Sequence, residues 1–300
     1  MPENPISGSG TPILKRTLSG RAAGIVRRNK IKSFMAILAV VSFLAVLPLP
    51  FGEIRDLQKT NPGVTSFMRE HEAAARSKGR AFYRFQKWIL YEKIPRHVTD
   101  AIVVAEDGTF WSHSGFDWFE FKESLKRNVS EGRVARGAST ITQQLVKNLF
   151  LSSSKNPLRK LREWILTFYI ERTLTKSRIL EIYLNVIEWG EGVYGIEAAS
   201  QLYFNKSASD LTRDEATRIA AIIPSPKRHG ANEESEYVAR RSQVILQRMK
   251  ARGMIPEASV SPDSSGVLNE NFLSQPVDSG MLNLDAHVSK DSLTARRDSL

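Results

Sequence analysis

The sequence predicts a mainly α-helical domain preceded by a single transmembrane helix. Two observations carry this prediction: an uninterrupted apolar run near the N-terminus, and dense helical patterning from about Tyr91 to Lys250. No stretch alternates apolar and polar residues over any length, as a half-buried β-strand would. We therefore expect helices, and not a sheet, to form the core of the domain.

The apolar run extends from Ser33 to Phe51 and contains 19 residues without a charge. A helix needs about 20 apolar residues to cross the hydrocarbon core of a bilayer. A buried helix of a soluble protein would carry a polar stripe, whereas the polar residues here are Ser33 and Ser42. A signal peptide would end in a small-x-small cleavage site, which the residues around Leu49 do not form. We predict a transmembrane helix over 33–51.

Residues 1–32 form a basic arm with seven Lys and Arg residues and one acid, Glu3. The arm holds much of the formal net charge of +11. By the positive-inside rule it stays in the cytoplasm and the chain after Gly52 is exported. Nucleotide sugars and ATP are scarce outside the membrane, so this topology favours a lipid-carried substrate. The sequence has no cysteine, which excludes a thiolate metal site and a cysteine nucleophile.

Beyond the apolar run the chain divides into three predicted segments. Residues 52–90 mix charged and aromatic side chains and are interpreted as a juxtamembrane connector and membrane-proximal lobe. Residues 91–252 form the predicted catalytic domain. Residues 253–300 are rich in Ser, Asp, Asn and Pro without periodicity, which is typical of a disordered tail.

Three helices of the domain have clear sequence signals. Asn156 before Pro157 is an N-cap followed by proline at the first helical position, and apolar residues then recur to Thr173. Apolar residues at helical spacing predict a second helix over 179–187. Thr212 and Glu215 have the spacing of a capping box, and the helix that they begin should end before Pro224.

The run AIVVAEDGTFWSHSGFDW places Glu106, Asp107 and His113 directly after an apolar segment. A carboxylate at the edge of a buried segment suits a general base that takes a proton from a sugar hydroxyl. On these residues alone, a helix cap or a solvated edge remains the common alternative.

Two further clusters follow. RGASTITQQLVKNLFL crowds hydrogen-bonding side chains on one short helical segment, for which a solvated face is the default reading. In NPLRKLREWIL, Arg159 and Lys160 precede Glu163 by four and three residues and share its helix face. Such a trio is either a surface salt bridge or two cations and a carboxylate that hold a pyrophosphate.

Four motifs together resemble the peptidoglycan glycosyltransferases of glycosyltransferase family 51. They are EDGTFWSHSG, GASTITQQLVKN, RKLRE and KSRILEIYLNVIEWGEGVYG, in this order and at these separations. The likeness runs from about Asn61 to Arg248, and NPGVTSFM and GFDWFEF make it closest to the monofunctional members. It implies a lysozyme-like, two-lobed helical glycosyltransferase domain with a cleft, the smaller lobe dipping into the membrane of a bacterium.

The resemblance also implies roles for individual residues. Glu106 matches the general base that deprotonates the 4-hydroxyl of lipid II, and Glu163 matches a second essential carboxylate near the pyrophosphate or a divalent metal. The remaining matches fall into two groups. Lys147, Arg159 and Lys160 match phosphate-binding cations; Asp107, Phe110, His113, Thr140 and Gln144 match supporting positions in the cleft.

The implied partners are lipid II, the nascent glycan chain and the bacterial cytoplasmic (inner) membrane. Because no transpeptidase motif set is present, cross-linking would fall to other proteins, such as penicillin-binding transpeptidases and divisome proteins. No tightly bound cofactor is expected. The resemblance allows a divalent cation, Mg²⁺ or Mn²⁺, to bind at Glu163.

Two other functions fit parts of the sequence. A lysozyme-like lytic enzyme would also use two carboxylates, but it would have no pyrophosphate for the cations near Glu163 to hold. A catalytically silent scaffold that binds lipid II or divisome proteins would not need Glu106 and Glu163. Nucleic-acid binding is disfavoured, because the excess positive charge lies mostly in the arm and no nucleic-acid-binding motif is present.

Overall fold

The computed structural model describes residues 32–35, 49–130, 139–154, 156–232 and 235–255. The chain divides into two compact units, residues 1–49 and 50–300. In the first unit, Lys32 to Met35 are helical. Within the described ranges, no helix has both the length and the apolar character needed to cross a membrane. Most of the predicted transmembrane helix 33–51, most of the basic arm and residues 256–300 of the predicted tail lie outside the described residues.

The second unit is mainly helical, as predicted. Its α-helices, in chain order, are α1 (Phe51–Asp56), α2 (Ser66–Ser77), α3 (Arg96–Glu106), α4 (Trp118–Ser130), α5 (Ile141–Phe150), α6 (Pro157–Thr173), α7 (Lys176–Val186), α8 (Ile196–Phe204), α9 (Arg213–Ile222) and α10 (Glu236–Ala251). Short 3₁₀ turns lie at Tyr91–Lys93 and Ala208–Asp210.

A small three-stranded sheet accompanies the helices, which the sequence pattern did not predict. Its strands are β1 (Phe85–Gln86), β2 (Glu188–Gly190) and β3 (Val193–Tyr194), in the order β1-β3-β2. β1 pairs parallel with β3, and β2 pairs antiparallel with β3. Strands of two or three residues are too short to show an apolar–polar alternation.

The predicted helix signals are confirmed where the structure describes them. The Asn156 side chain accepts from Leu158 N at 2.9 Å, and α6 ends at Thr173. Thr212 and Glu215 form the predicted capping box, and α9 ends at Ile222, two residues before Pro224. The helix predicted over 179–187 is α7, which begins three residues earlier at Lys176.

Two groups of packed helices build the core. α3 packs against α9 and α10, and α5 packs against α2, α6 and α7. The buried faces carry Val98, Ile102 and Ile219 in the first group, and Leu145 and Leu180 in the second. These groups hold α3 and α5 rigidly, and both helices carry predicted site residues.

The segment predicted as a connector contributes to this core. Ile54 of α1 and Met68 of α2 are fully buried. Arg55 Nε donates to the Tyr169 hydroxyl at 2.7 Å, which ties α1 to α6. Residues 50–90 are therefore part of the same compact unit as the domain that follows.

The C-terminal end of α10 is closed by a Schellman motif. Gly253 has a φ of +66° and donates to Lys250 O at 2.8 Å, and Met254 N donates to Met249 O at 3.0 Å. Ile255 is buried. The folded part thus extends three residues beyond the predicted boundary at Arg252.

Candidate active site

Glu106 is the last residue of α3, and its carboxylate lies where a buried helix meets an irregular loop. Val103 and Val104, three and two residues before it, are buried and anchor the end of the helix in the core. The Glu106 side chain is 10% exposed. A group that is largely enclosed yet still reachable is placed as a general base needs to be.

Two side chains hold the Glu106 carboxylate, one on each oxygen. Gln144 Nε2 donates to Oε2 at 3.0 Å, and Arg241 Nη2 lies 3.5 Å from Oε1. The Tyr183 hydroxyl in turn donates to Gln144 Oε1 at 3.0 Å. Because a carboxylate can only accept, the Gln144 amide nitrogen must face Glu106, and its oxygen must face Tyr183.

Burial and the negative charges of Glu106 and Asp107 raise the pKa of Tyr183 well above its usual range. The phenol therefore keeps its proton and acts as the donor in this chain of hydrogen bonds. Tyr183, Gln144 and Glu106 form a relay from the core of α7 through α5 to the end of α3.

Asp107 organises the loop after α3. It accepts from His113 Nε2 at 2.9 Å and from Ile141 N, the first residue of α5, at 2.9 Å. Gly115 N donates to His113 Nδ1 at 3.0 Å, so the ring proton lies on Nε2. His113 is thus a structural hydrogen-bonding residue that links the loop to Asp107.

Phe110 and Thr140 also help to position this loop. Phe110 is fully buried, and Lys176 Nζ lies 4.3 Å from the centre of its ring. Thr140 caps α5 through a capping box with Gln143, and its hydroxyl donates to Gly115 O at 2.8 Å. The structure places both residues where they position the loop and α5.

Glu163 is a buried carboxylate on α6, 4% exposed, and it binds both predicted cations. Arg159 Nη1 lies 2.8 Å from Oε2, and Lys160 Nζ contacts Oε1. Arg159 Nε also donates to Ser154 O at 2.5 Å. Lys160 is 40% exposed, whereas Glu163 is buried, so the cluster exposes its positive charge to solvent and keeps its negative charge enclosed. That arrangement suits transient binding of a phosphate group.

Two cavities flank the relay of Tyr183, Gln144 and Glu106. The first, of about 270 Å³, is lined by Glu106 together with Asp117, Glu120, Arg248 and Arg252, among others. Gln144 lines the second cavity, of about 560 Å³, so the relay lies between the two.

The second cavity is rich in positive charge. Lys147 of α5 reaches it, with its Nζ 5.8 Å from the ring centre of Phe67. Lys227 and Arg228 line the opposite wall. Lys227 Nζ pairs with the buried Glu188 at 3.3 Å, and so this wall, like the Glu163 cluster, combines cations with a buried acid.

A third cavity of about 200 Å³ is mainly apolar, and its lining also includes the carboxylate of Asp117 and the amine of Lys160. Phe116, Trp118, Phe121 and Trp164 line it, together with Lys160. The side chains of Trp118 and Phe121 are exposed. Aromatic walls next to an amine suit an amphipathic molecule with an anionic head.

The residues around Glu163 do not form a metal pocket. Both of its oxygens are engaged by cationic side chains, and the described residues contain no group of three or more His, Asp or Glu that could hold an ion. The free protein therefore does not fit a resident divalent cation at Glu163.

The sequence did not indicate two residues of this site, Tyr183 and Arg241. Tyr183 lies within a motif that carried the resemblance, but its apolar neighbours made it look like an ordinary core residue. Arg241 lies 135 residues from Glu106 in the chain and directly follows another arginine, Arg240. Only the packing of α10 against α3 brings it to the carboxylate.

Comparison with known proteins identifies the family of this chain. Residues 74–250 match the family model described as "Transglycosylase", which includes Glu106, Gln144, Glu163 and Arg241. The matched segment covers more than half of the chain.

Curated relatives are similar over most of their length. A biosynthetic peptidoglycan transglycosylase of Chromobacterium violaceum is 41% identical over 70% of this chain and 92% of its own. Proteins of the same name from Nitrosospira multiformis and Dechloromonas aromatica are 41% and 44% identical, over 74% and 64% of this chain and 94% and 83% of theirs. The resemblance read from the motifs is thereby confirmed. The chain belongs to the transglycosylase family, and it is a glycosyltransferase of the monofunctional peptidoglycan transglycosylase kind.

Proposed function

We propose that this enzyme polymerises the glycan strands of peptidoglycan from lipid II. Glu106 takes the proton of the acceptor's 4-hydroxyl, and the oxygen attacks the anomeric carbon of the growing chain. The bond between that carbon and the pyrophosphate breaks, and undecaprenyl pyrophosphate leaves with the electron pair. Attack from the opposite side inverts the anomeric centre and gives a β-1,4 linkage.

The observation that carries this proposal is that Glu106 lines one cavity, while Gln144, which donates to the Glu106 carboxylate, lines a second one. A reaction that joins two sugar substrates needs space for one on each side of the base. Gln144 and Arg241 fix both carboxylate oxygens, and a fixed base loses less entropy at the moment of proton transfer. The lysozyme-like, two-lobed arrangement around a cleft is part of the same proposal.

Positive charge near the leaving group supports the same chemistry. A pyrophosphate is already activated as a leaving group, so the enzyme needs a base and cations, without a covalent nucleophile. Arg159 and Lys160 on α6 and Lys147 on α5 are placed to supply them. A divalent cation would arrive with the substrate's phosphates, as Mg²⁺ commonly does.

A lipid-borne substrate is supported by the apolar cavity beside Lys160. Its aromatic walls suit a prenyl chain, and the cation at its edge suits the attached pyrophosphate. We propose that the enzyme works at the outer face of the bacterial cytoplasmic membrane. The apolar segment 33–51 would anchor it as a single-pass protein with the basic arm in the cytoplasm. Penicillin-binding transpeptidases and divisome proteins would then act on its product.

A lytic enzyme, which would cleave the glycan, would need different residues in the site. A glycosidase has no pyrophosphate to bind, whereas Arg159 and Lys160 form a cationic cluster around Glu163. A silent scaffold would need neither the relay from Tyr183 nor the enclosed base. The synthetic reaction accounts for both features.

The direction of the reaction can be tested with two substrates in parallel. Purified full-length protein in detergent with Mg²⁺ is given either labelled lipid II or preformed, uncross-linked glycan. We expect long glycan and undecaprenyl pyrophosphate from lipid II, and no shortening of the preformed glycan. Shortened glycan without polymer would establish the lytic reading, and no change in either, where a known polymerase works, would favour the scaffold.

A further inference from the structure

Arg241 is a charged residue near the base that neither the motifs nor the predicted phosphate cations include. It lies on α10, whose packing against α3 and α9 places it beside the end of α3. Its Nη2 is 3.5 Å from Glu106 Oε1, and the two side chains are 16% and 10% exposed. A charge pair this enclosed is screened by water much less than a surface pair.

The guanidinium of Arg241 is held in a way that costs free energy. Within the described part of the chain, its Nε hydrogen is buried and has no acceptor. A buried donor without a partner is unfavourable, and such groups in native proteins call for an explanation.

We propose that Arg241 is a positioning residue that keeps Glu106 ionised and correctly oriented for catalysis. The inference rests on the proposed function of Glu106 as the general base. Gln144 fixes one oxygen through a neutral hydrogen bond, and Arg241 fixes the other through charge. Burial disfavours the carboxylate anion, and the adjacent guanidinium opposes that effect.

Several other charged groups lie near Glu106. Asp107, next in the chain, is negative and would make ionisation of Glu106 harder. On α7, Tyr183 stays neutral as a phenol. The remaining charged groups in the same cavity are of both signs: Asp117, Glu120, Arg248 and Arg252. Of these, Arg252 donates to Gly108 O at 2.8 Å, so it serves the backbone of the loop.

The test compares pH profiles of polymerisation for Arg241→Gln and a matched control, Arg240→Gln. Arg240 is the preceding residue on α10, is 39% exposed and pairs with Glu236. Both changes remove one positive charge from the same helix. We expect Arg241→Gln to move the acid side of the kcat profile to higher pH by about one unit, and Arg240→Gln to leave it unchanged. An unchanged acid side in Arg241→Gln would refute the proposal.

Arg241→Lys keeps the charge and changes the geometry. We expect it to retain the acid side of the profile and to lower kcat by about tenfold with little change in KM. If Arg241→Gln does not fold, Arg241→Lys alone tests the proposal. A kcat of Arg241→Lys equal to that of the wild type across the pH range would then overturn it. Failure of the wild type to polymerise lipid II would refute the proposed function itself, which separates the two results.

Discussion

The relay from Tyr183 through Gln144 to Glu106 makes a specific prediction about Tyr183→Phe. This change removes one oxygen from a fully buried side chain and leaves its ring in place. It deletes the 3.0 Å hydrogen bond to Gln144 Oε1, whose carbonyl then lacks its donor. Gln144 Nε2 loses its fixed orientation, and the Glu106 carboxylate gains rotational freedom.

The magnitude follows from the same contacts. Loss of this part-buried hydrogen bond costs about 0.5–1.5 kcal/mol of unfolding free energy. For a domain of this size, each kcal/mol lowers the unfolding midpoint by about 2–4 °C. Loss of orientation at the base should lower kcat by about tenfold, because small displacements of catalytic groups cost large factors in rate.

Tyr203→Phe is the matched control for this prediction. Its hydroxyl donates to Trp189 O at 2.7 Å, away from Glu106, so the same atom and a comparable bond are lost. Both variants should lose stability by similar amounts, measured by circular dichroism, but only Tyr183→Phe should lose kcat in the polymerisation assay. Equal kcat values for the two variants would refute the role of the relay.

Three further predictions concern other contacts. Asp107→Ala should lower the free energy of unfolding by about 2–3 kcal/mol, because it frees both a buried histidine and the first N–H of α5, and urea denaturation measures this. Mg²⁺, Mn²⁺ or EDTA should leave the unfolding midpoint of the free protein unchanged, since Glu163 already binds two cationic side chains; a rise with either ion would reveal a metal site. The hydrogen bond from Ser153 lowers the pKa of Glu70, so its contribution to stability is present above the unfolded-state pKa and is lost as pH falls through the folded-state value. Ser153→Ala should therefore lose less stability on acidification than the wild type, and an identical pH dependence would contradict this.

The sequence was informative where local chemistry determines local structure. Asn156 with Pro157, and Thr212 with Glu215, mark helix starts because their side chains bond to backbone only a few residues away. The trio on α6 was predictable for the same reason, since residues three and four apart share a helix face. Glu106 and Glu163 were found through motifs of contiguous residues.

Long-range contacts were not predictable from local pattern. Arg241 meets Glu106 across 135 residues, and Tyr183 reaches Gln144 across 39. The sequence pattern did not predict the sheet, because strands of two or three residues are too short to show an apolar–polar alternation. Residues 52–90 looked like a connector because their charges are dense, yet Ile54 and Met68 carry enough apolar surface to dock on the core.

The central claim is that Glu106 is the base of a glycan polymerase, and one comparison tests it most directly. Wild type, Glu106→Gln and Glu123→Gln are assayed with labelled lipid II at equal folded concentration. Glu123 lies on α4 and pairs with Lys126 on the same helix, so its variant controls for loss of one negative charge. We predict long glycan from the wild type and from Glu123→Gln, and none from Glu106→Gln. Polymer from Glu106→Gln at the wild-type rate would contradict the account.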